Sequence, residues 1–299
     1  MPSPSPPPEV LAVFGPTASG KSGVAEALAV RLGTDVVSAD ALQVYRGLPI
    51  LTNQPDHPTR LVAIRELWEV MSVGEYAGLA HAAIDELVSA RGSAVVAGGT
   101  GLYLRAALVD LRVPPAPVPG ARERWETAYD ADAEHAYERL VELDPAAAAV
   151  VHRNDRRRVV RALELAEAGA SLVAEDDRLW SGSPRRPTLV VGLEVPDEVL
   201  ALRIEARARE MFERGVLEEA SRAVAGPVSR TAEKALGLRE LAELSRDDAF
   251  ERIVARTRRY TAYQRKWMRR IPGIVMIGAD GPPDEVACAI LEVVHSQSR

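Results

Sequence analysis

The stretch Gly15-Pro16-Thr17-Ala18-Ser19-Gly20-Lys21-Ser22, GPTASGKS, fills every fixed position of the pattern GxxxxGK[ST]. An apolar run from Val10 to Phe14 precedes it and reads as a buried strand, and helix-forming residues from Gly23 to Leu32 follow. Strand, glycine-rich turn and helix in that order predict a phosphate loop. The glycines let consecutive backbone N–H groups converge on phosphate oxygens, and the helix start adds about half a positive charge. Lys21 then neutralises an outer phosphate, and Ser22 offers its hydroxyl to Mg²⁺, the expected cofactor. All eight residues are expected to bind a phosphorylated ligand, in a class whose usual ligand is a nucleotide such as ATP. The fold expected around such a loop is α/β: a parallel sheet flanked by helices, like that of P-loop NTPases.

With 299 residues, 47% of them hydrophobic, the chain can bury a full core, as one elaborated domain or as two. Residues 1–8, MPSPSPPP, lack the apolar centre and cleavage-like end of a signal peptide and read as a flexible tail. No run approaches the roughly eighteen apolar residues of a membrane span. Cys288 is the only cysteine, so a cytoplasmic protein without disulfides is expected. The five histidines show no metal-ligand spacing.

The net charge of −6 argues against an evenly basic nucleic-acid binder, but the charge is uneven. From Arg252 to Arg270 the chain reads RIVARTRRYTAYQRKWMRR, with eight Lys or Arg, no acid, and Tyr260, Tyr263 and Trp267 interleaved. A nucleic-acid surface and a solvated helix face with its aromatics turned inward both give this pattern. A second cluster, HRNDRRRVVR from His152 to Arg161, favours a polyanionic partner.

Beyond the first helix, Asp35 to Ser38 reads as a second strand that delivers Asp40 to a strand end beside the phosphate loop. Glu75 to Ala90 has helical periodicity, and Ser93 to Ala97 is a third strand running into GGTGLYL, Gly98 to Leu104. That turn reads either as a ligand contact or as a helix N-cap at Thr100. VPPAPVPG, Val113 to Gly120, breaks all periodicity, Ala121 to Ala168 is helical throughout, and Ser181 to Pro187 breaks again. Leu189 to Val195 returns to strand, Asp197 to Arg270 is helical with an interruption at Gly226 and Pro227, and Val275 to Ile277 is a last strand. The expected organisation is a tail (1–8), a core made of 9–112 and 188–299, and an all-helical insertion at 113–187.

GPTASGKS, VVSADALQVYRGLPI (Val36 to Ile50), GGTGLYL, NDRRRVVRALE and QRKWMRR, in that order, resemble the tRNA dimethylallyltransferase (tRNA isopentenyltransferase) family. The resemblance runs from Leu11 to about Gly273. It implies transfer of a dimethylallyl group from dimethylallyl diphosphate to N6 of the adenosine 3′ of a tRNA anticodon, with the phosphate loop holding the prenyl diphosphate.

The resemblance also implies residue roles. Asp40 matches the general base, and a second-shell Mg²⁺ role at such a strand end stays open beside it. Thr100 matches the residue near the scissile bond. Arg207 matches a diphosphate-contacting arginine, and Arg203 lies one turn earlier on the same helix face. Asp40, Ala41, Leu42 and Gln43 match contacts to the extruded adenine and its neighbours. Arg122, Arg157, Arg158, Arg161, Lys234 and Arg265 match further tRNA-contacting positions. A surface ion pair is the other reading of each arginine.

Three departures fall in the parts that would recognise tRNA. No histidine pair follows QVYRG, EKALGLRE carries Leu238 where an aromatic is the rule, and the insertion is short. An isopentenyltransferase of free adenine nucleotides and a phosphate-loop kinase remain as alternatives. The helical insertion and the basic stripe favour a tRNA partner, acted on by a monomer.

Overall fold

The computed structural model describes residues 7–110, 118–173 and 183–297. The first six residues of the tail, most of the VPPAPVPG linker and the start of the second breaker lie outside them. The chain divides into two compact units, residues 1–111 with 183–299, and residues 112–182.

The first unit begins with β1 (Val10–Phe14), the phosphate loop and α1 (Lys21–Leu32). β2 (Val36–Ser38), β3 (Thr59–Arg60), α2 (Val73–Arg91), β4 (Ala94–Gly98) and α3 (Gly101–Leu108) follow. In the second unit lie α4 (Ala121–Ala131), α5 (Ala133–Leu143), α6 (Pro145–Val150) and α7 (Arg156–Glu167). The chain then returns to the first unit with β5 (Thr188–Glu194), α8 (Asp197–Glu213), α9 (Val216–Val224), α10 (Leu238–Glu243), α11 (Arg246–Met268), β6 (Val275–Gly278) and α12 (Pro283–Gln297).

Six strands form one sheet in the order β3-β2-β4-β1-β5-β6, all parallel. β1 is buried along its whole length, which is why its sequence is an unbroken apolar run rather than an alternation. Phe14 pairs with Gly98, and Ser38 with Ala97, so the chain leaves β1, β2 and β4 at one level. The phosphate loop, Asp40 and the GGTG turn therefore meet at the carboxyl ends of the central strands, where ligands sit in open parallel sheets.

Helix ends follow local chemistry. The Ser72 hydroxyl accepts the Glu75 N–H to start α2, and Gly92 ends that helix with φ +78°. In the second unit Asp132, Asp144 and Asp155 cap α5, α6 and α7 by accepting the N–H groups of His135, Ala147 and Arg158. These caps divide the region read as helical into four helices, packed on a core that includes Leu140, Val151, Val159 and Leu163.

Three expectations are corrected. The second boundary lies at 182/183 instead of 187/188, because Arg185 and Arg186 belong to the core unit: the Arg185 N–H donates to the Leu108 carbonyl, and both guanidinium groups bind Asp85. The stretch from Asp197 to Arg270 breaks at Gly215 (φ +89°) and Gly237 (φ +95°) as well as near Gly226. β3 and α12 escape the sequence reading altogether: the first is two residues long, and the second follows the last strand read.

Candidate active site

The phosphate loop divides its own labour. Ala18 and Gly20 sit in the left-handed region at φ +65° and +86°, which curls the chain into a concave nest of N–H groups. α1 starts at Lys21, and the first amide to find its helical acceptor is Val24, at the Gly20 carbonyl 3.1 Å away. The N–H groups of Lys21, Ser22 and Gly23 are thus presented to a ligand by helix geometry. Pro16 has no N–H, Ser19 donates its own to the Pro16 carbonyl at 3.1 Å, and Thr17 donates to Gln264 Oε1 at 2.8 Å. Pro16, Thr17 and Ser19 therefore offer a ligand no free backbone N–H, and contact through backbone amides is left to the other residues of the loop.

Asp40 lines two adjoining cavities. One is bounded by Lys21, Ser22, Ser38, Gln43 and His57. The other, about 670 Å³ with its open mouth, is lined by Thr17, Asp40, Arg207, Thr257 and Tyr260 and walled by Leu42, Leu51, Ile204, Met211, Leu236 and Ile253. A polar floor with an apolar wall suits a ligand that is charged at one end and hydrocarbon at the other.

The electrostatics of this floor point to an anion. Lys21 keeps some exposed surface, yet protein surrounds its ammonium on the floor of the cleft; that desolvation lowers its pKa to about 8, the Asp40 charge opposing and the Arg207 charge reinforcing the shift. Arg207 is lowered as well, first by desolvation, with Asp40 and Glu210 opposing. It makes no hydrogen bond or ion pair among the described residues. Two cations face one carboxylate, so an anionic ligand would relieve their repulsion and their lost hydration together.

Thr100 occupies the N-cap position of α3, but its side chain caps nothing; its Oγ1 lies 3.5 Å from the Tyr260 hydroxyl. Burial, reinforced by the Asp40 charge, raises the Tyr260 phenol above its ordinary range and keeps it a neutral hydrogen-bonding group. The glycines of GGTG answer to close packing. A Cβ on Gly98 would lie 2.2 Å from the Ala39 carbonyl oxygen, on Gly99 2.4 Å from Gln264, and on Gly101 2.5 Å from Trp267. The turn is a seat for α11.

Other expected residues have different work. The Arg203 guanidinium donates to the carbonyls of Ala279 and Asp280, both at 2.9 Å, and so ties α8 to the segment after β6 instead of reaching the cavity floor. The Gln43 amide accepts from the Ser38 hydroxyl at 2.7 Å and donates to the carbonyls of Thr52 and Asn53, which leaves no donor to read a base. Arg265 binds the Val195 carbonyl and Asp197. Arg122 and Arg161 both pair with the fully buried Glu164, and Arg122 with Glu126 as well. Arg157, Arg158 and Lys234 are exposed, and Ala41 and Leu42 are half-buried. Leu238 is fully buried against Leu48, Val216 and Ile253, so its departure from the aromatic is a matter of core packing.

On α11 the basic stripe separates into two sets. Arg256 and Arg258 pair with Glu240 and Glu205. Arg259, Lys266, Arg269 and Arg270 are exposed and have no acidic partner among the described residues, and they flank Tyr263, which is 53% exposed. Tyr263 stacks on Tyr260 at 6.4 Å between centroids, so aromatic surface runs from solvent to the cavity wall. Tyr260 and Gln264 are the site residues that motif reading missed. Their signal was a polar stripe, Thr257, Tyr260, Thr261 and Gln264, at helical spacing opposite the cations.

Comparison with known proteins agrees with this geometry. The family model described as IPP transferase matches residues 43–271, and that described as isopentenyl transferase matches residues 8–69. The tRNA dimethylallyltransferase of Corynebacterium jeikeium is 36% identical, over 96% of this chain and 97% of its own. That of Anaeromyxobacter dehalogenans is 38% identical, over 93% and 97%. Among solved structures, the full-length tRNA isopentenylpyrophosphate transferase of Bacillus halodurans superposes with a TM-score of 0.67 at 27% identity, covering 97% of this chain and 98% of that one. A eukaryotic dimethylallyltransferase acting on tRNA gives 0.77 at 25% identity, covering 97% and 80%. The two adjoining cavities that share Asp40, with Lys21 in one and Arg207 in the other, are thus carried by a chain that belongs to the tRNA dimethylallyltransferase family.

Proposed function

We propose that the protein transfers a dimethylallyl group from dimethylallyl diphosphate to N6 of the adenosine 3′ of the tRNA anticodon and releases diphosphate. The observation that carries this reading is that Asp40 is shared by two adjoining cavities, one lined by Lys21 and Ser22 of the phosphate loop and the other by Arg207 beneath an apolar wall.

The amides of Lys21, Ser22 and Gly23, with the Lys21 and Arg207 side chains, would hold the diphosphate. Their positive charge stabilises the leaving group most as the bond from C1 to the bridging oxygen lengthens. The adenine amine is a weak nucleophile; as N6 bonds to C1, Asp40 takes its proton and the bridging electron pair leaves with the diphosphate. The Thr100 hydroxyl, free of capping duty and close to the Tyr260 hydroxyl, stands at the same end of the sheet to orient the reacting groups.

Among the described residues no group of three or more His, Cys, Asp or Glu could hold a metal. The donor set here, the Ser22 hydroxyl and phosphate oxygens with Asp40 on the same cavity, nevertheless fits Mg²⁺, which keeps water and takes few protein ligands. When bound, Mg²⁺ would add positive charge beside the diphosphate.

Tyr263 and the unpaired cations of α11, with Arg157 and Arg158, would meet the tRNA backbone and an extruded base. We take the protein to act as a monomer. No described helix is long and apolar enough to cross a membrane; action on tRNA would fit a cytoplasmic enzyme.

The test is incubation with unmodified tRNA, Mg²⁺ and either dimethylallyl diphosphate or ATP, followed by mass spectrometry of the nucleosides. Dimethylallyl adenosine formed only with the prenyl diphosphate is the expected result. ATP consumption without prenylation would replace this reading with a kinase.

A further inference from the structure

The Gln264 side chain is 3% exposed and makes two hydrogen bonds in opposite directions. Its Oε1 accepts the Thr17 N–H of the phosphate loop at 2.8 Å, and its Nε2 donates to the Gly99 carbonyl of the GGTG turn at 2.9 Å. A backbone N–H can only donate and a carbonyl only accept, so these partners fix the orientation of the amide. A carboxamide offers one acceptor and one donor at its tip at any pH, which matches both partners without a change of protonation. Gly99 keeps the space open: a Cβ there would lie 2.4 Å from Nε2 and 3.0 Å from the Gly15 carbonyl oxygen. Three residues on, Trp267 packs over Gly101, and one turn back the Tyr260 hydroxyl faces Thr100. Gly99, Thr100 and Gly101 are thus each met by a different residue of α11.

We propose that Gln264 is a positioning residue that holds the phosphate loop and the Thr100 turn in fixed register, so that the diphosphate and the Thr100 hydroxyl keep their relative placement through the reaction. This rests on the prenyl-transfer reading above. Gln264 touches neither substrate; it acts through Thr17 and Gly99. The carrier is also the helix whose outer face holds Arg259, Tyr263 and Lys266, so the surface that would meet tRNA and the frame of the diphosphate site are one rigid element.

The experiment compares Gln264→Leu and Gln264→Glu with the wild-type full chain. It measures kcat and KM with dimethylallyl diphosphate and tRNA, binding of inorganic pyrophosphate, and thermal melting. Leu fills the space and breaks both hydrogen bonds. Glu keeps the acceptor for Thr17; protonated, its O–H still donates to the Gly99 carbonyl, and ionised it sets its second oxygen against that carbonyl, so kcat of this variant is measured across pH and the loss is read on the alkaline side. Lost register predicts a fall in kcat of about 10²-fold in each folded variant. Pyrophosphate affinity should stay within about threefold, because Lys21, Arg207 and the start of α1 remain, and a loss confined to kcat marks an interaction that matters only in the reaction. If Gln264→Leu does not fold, Gln264→Glu, nearly the same shape, carries the test. Unchanged kcat in a folded variant, or kcat and pyrophosphate affinity falling together, overturns the proposal while wild-type activity leaves the reading beneath it intact. A wild-type protein that binds pyrophosphate but transfers no prenyl group overturns both.

Discussion

Asp40 Oδ1 accepts the backbone N–H of Leu42 at 2.9 Å, so one oxygen of the carboxylate holds its own turn. The other makes no hydrogen bond among the described residues, and in the proposed reaction it is this oxygen that would take the proton. Asp40→Asn keeps the turn, because an amide oxygen accepts the same N–H, and removes the base. Turnover should fall by about 10²-fold or more. Pyrophosphate affinity should hold or tighten, since Lys21 and Arg207 lose no attraction to the ligand and their neighbouring carboxylate is gone. Rapid-quench kinetics beside calorimetric titration checks both halves, and unchanged turnover removes Asp40 from the chemistry.

Lys21 and Arg207 are both desolvated, and each feels the Asp40 charge. Lys21→Met should weaken pyrophosphate binding by about tenfold or more, as loss of a charge-assisted contact does. The ligand-free protein should melt no lower than the wild type, because the buried charge stabilises nothing until the anion arrives. A clear drop in melting temperature would mean that Lys21 is structural.

Paired and unpaired cations on α11 should separate in tRNA binding. Lys266→Ala and Arg270→Ala should each weaken affinity and lower the slope of log affinity against log salt by about one. Arg258→Ala, whose partner is Glu205, should do neither to that extent. Filter binding across a salt series decides, and equal effects at all three positions would show that the ion pairs do not select the contact surface.

Glu219 is 2% exposed and accepts the N–H groups of Ile50 at 2.9 Å and Leu51 at 2.8 Å, anchoring the loop that supplies Leu51 and Thr52 to the cavity. Glu219→Ala leaves two donors without their acceptor and should cost about 2–4 kcal/mol of stability. Burial raises the Glu219 pKa, and the two N–H donors oppose the shift only in part. The folded protein therefore holds this proton to higher pH than the unfolded chain. The Glu219 contribution to stability is fully present below the ordinary glutamate range and declines as pH rises from there through the raised value. Denaturant titrations at several pH values should show the wild type losing stability relative to Glu219→Gln as pH rises; a constant difference would mean that the group titrates normally.

The fold was largely legible because the parallel core writes itself as apolar runs: Val10 to Phe14 was read as it stands, Ser93 to Ala97 lies one residue from the observed Ala94–Gly98, and GPTASGKS fixed what lies between β1 and α1. Asp40 was legible from its place after β2. Gln264 and Tyr260 were not, since a glutamine and a tyrosine in a cationic helix look like surface until the turn they seat is in view. Arg203 and Arg265 misled for the complementary reason. Spacing puts an arginine on a helix face, but only tertiary partners, the Ala279, Asp280 and Val195 carbonyls, decide where its guanidinium ends.

The bond between Thr17 and Gln264 joins residues 247 positions apart. A ribosome adding about 5–20 residues per second needs roughly ten seconds or more to span that distance. Throughout that interval the nascent chain carries a complete GPTASGKS motif without the strut that sets its geometry. Working enzyme therefore emerges only at the end of synthesis, and a truncated translation product ending before α11 would possess the motif and its local turn but not the bond that ties Thr17 to the Thr100 turn.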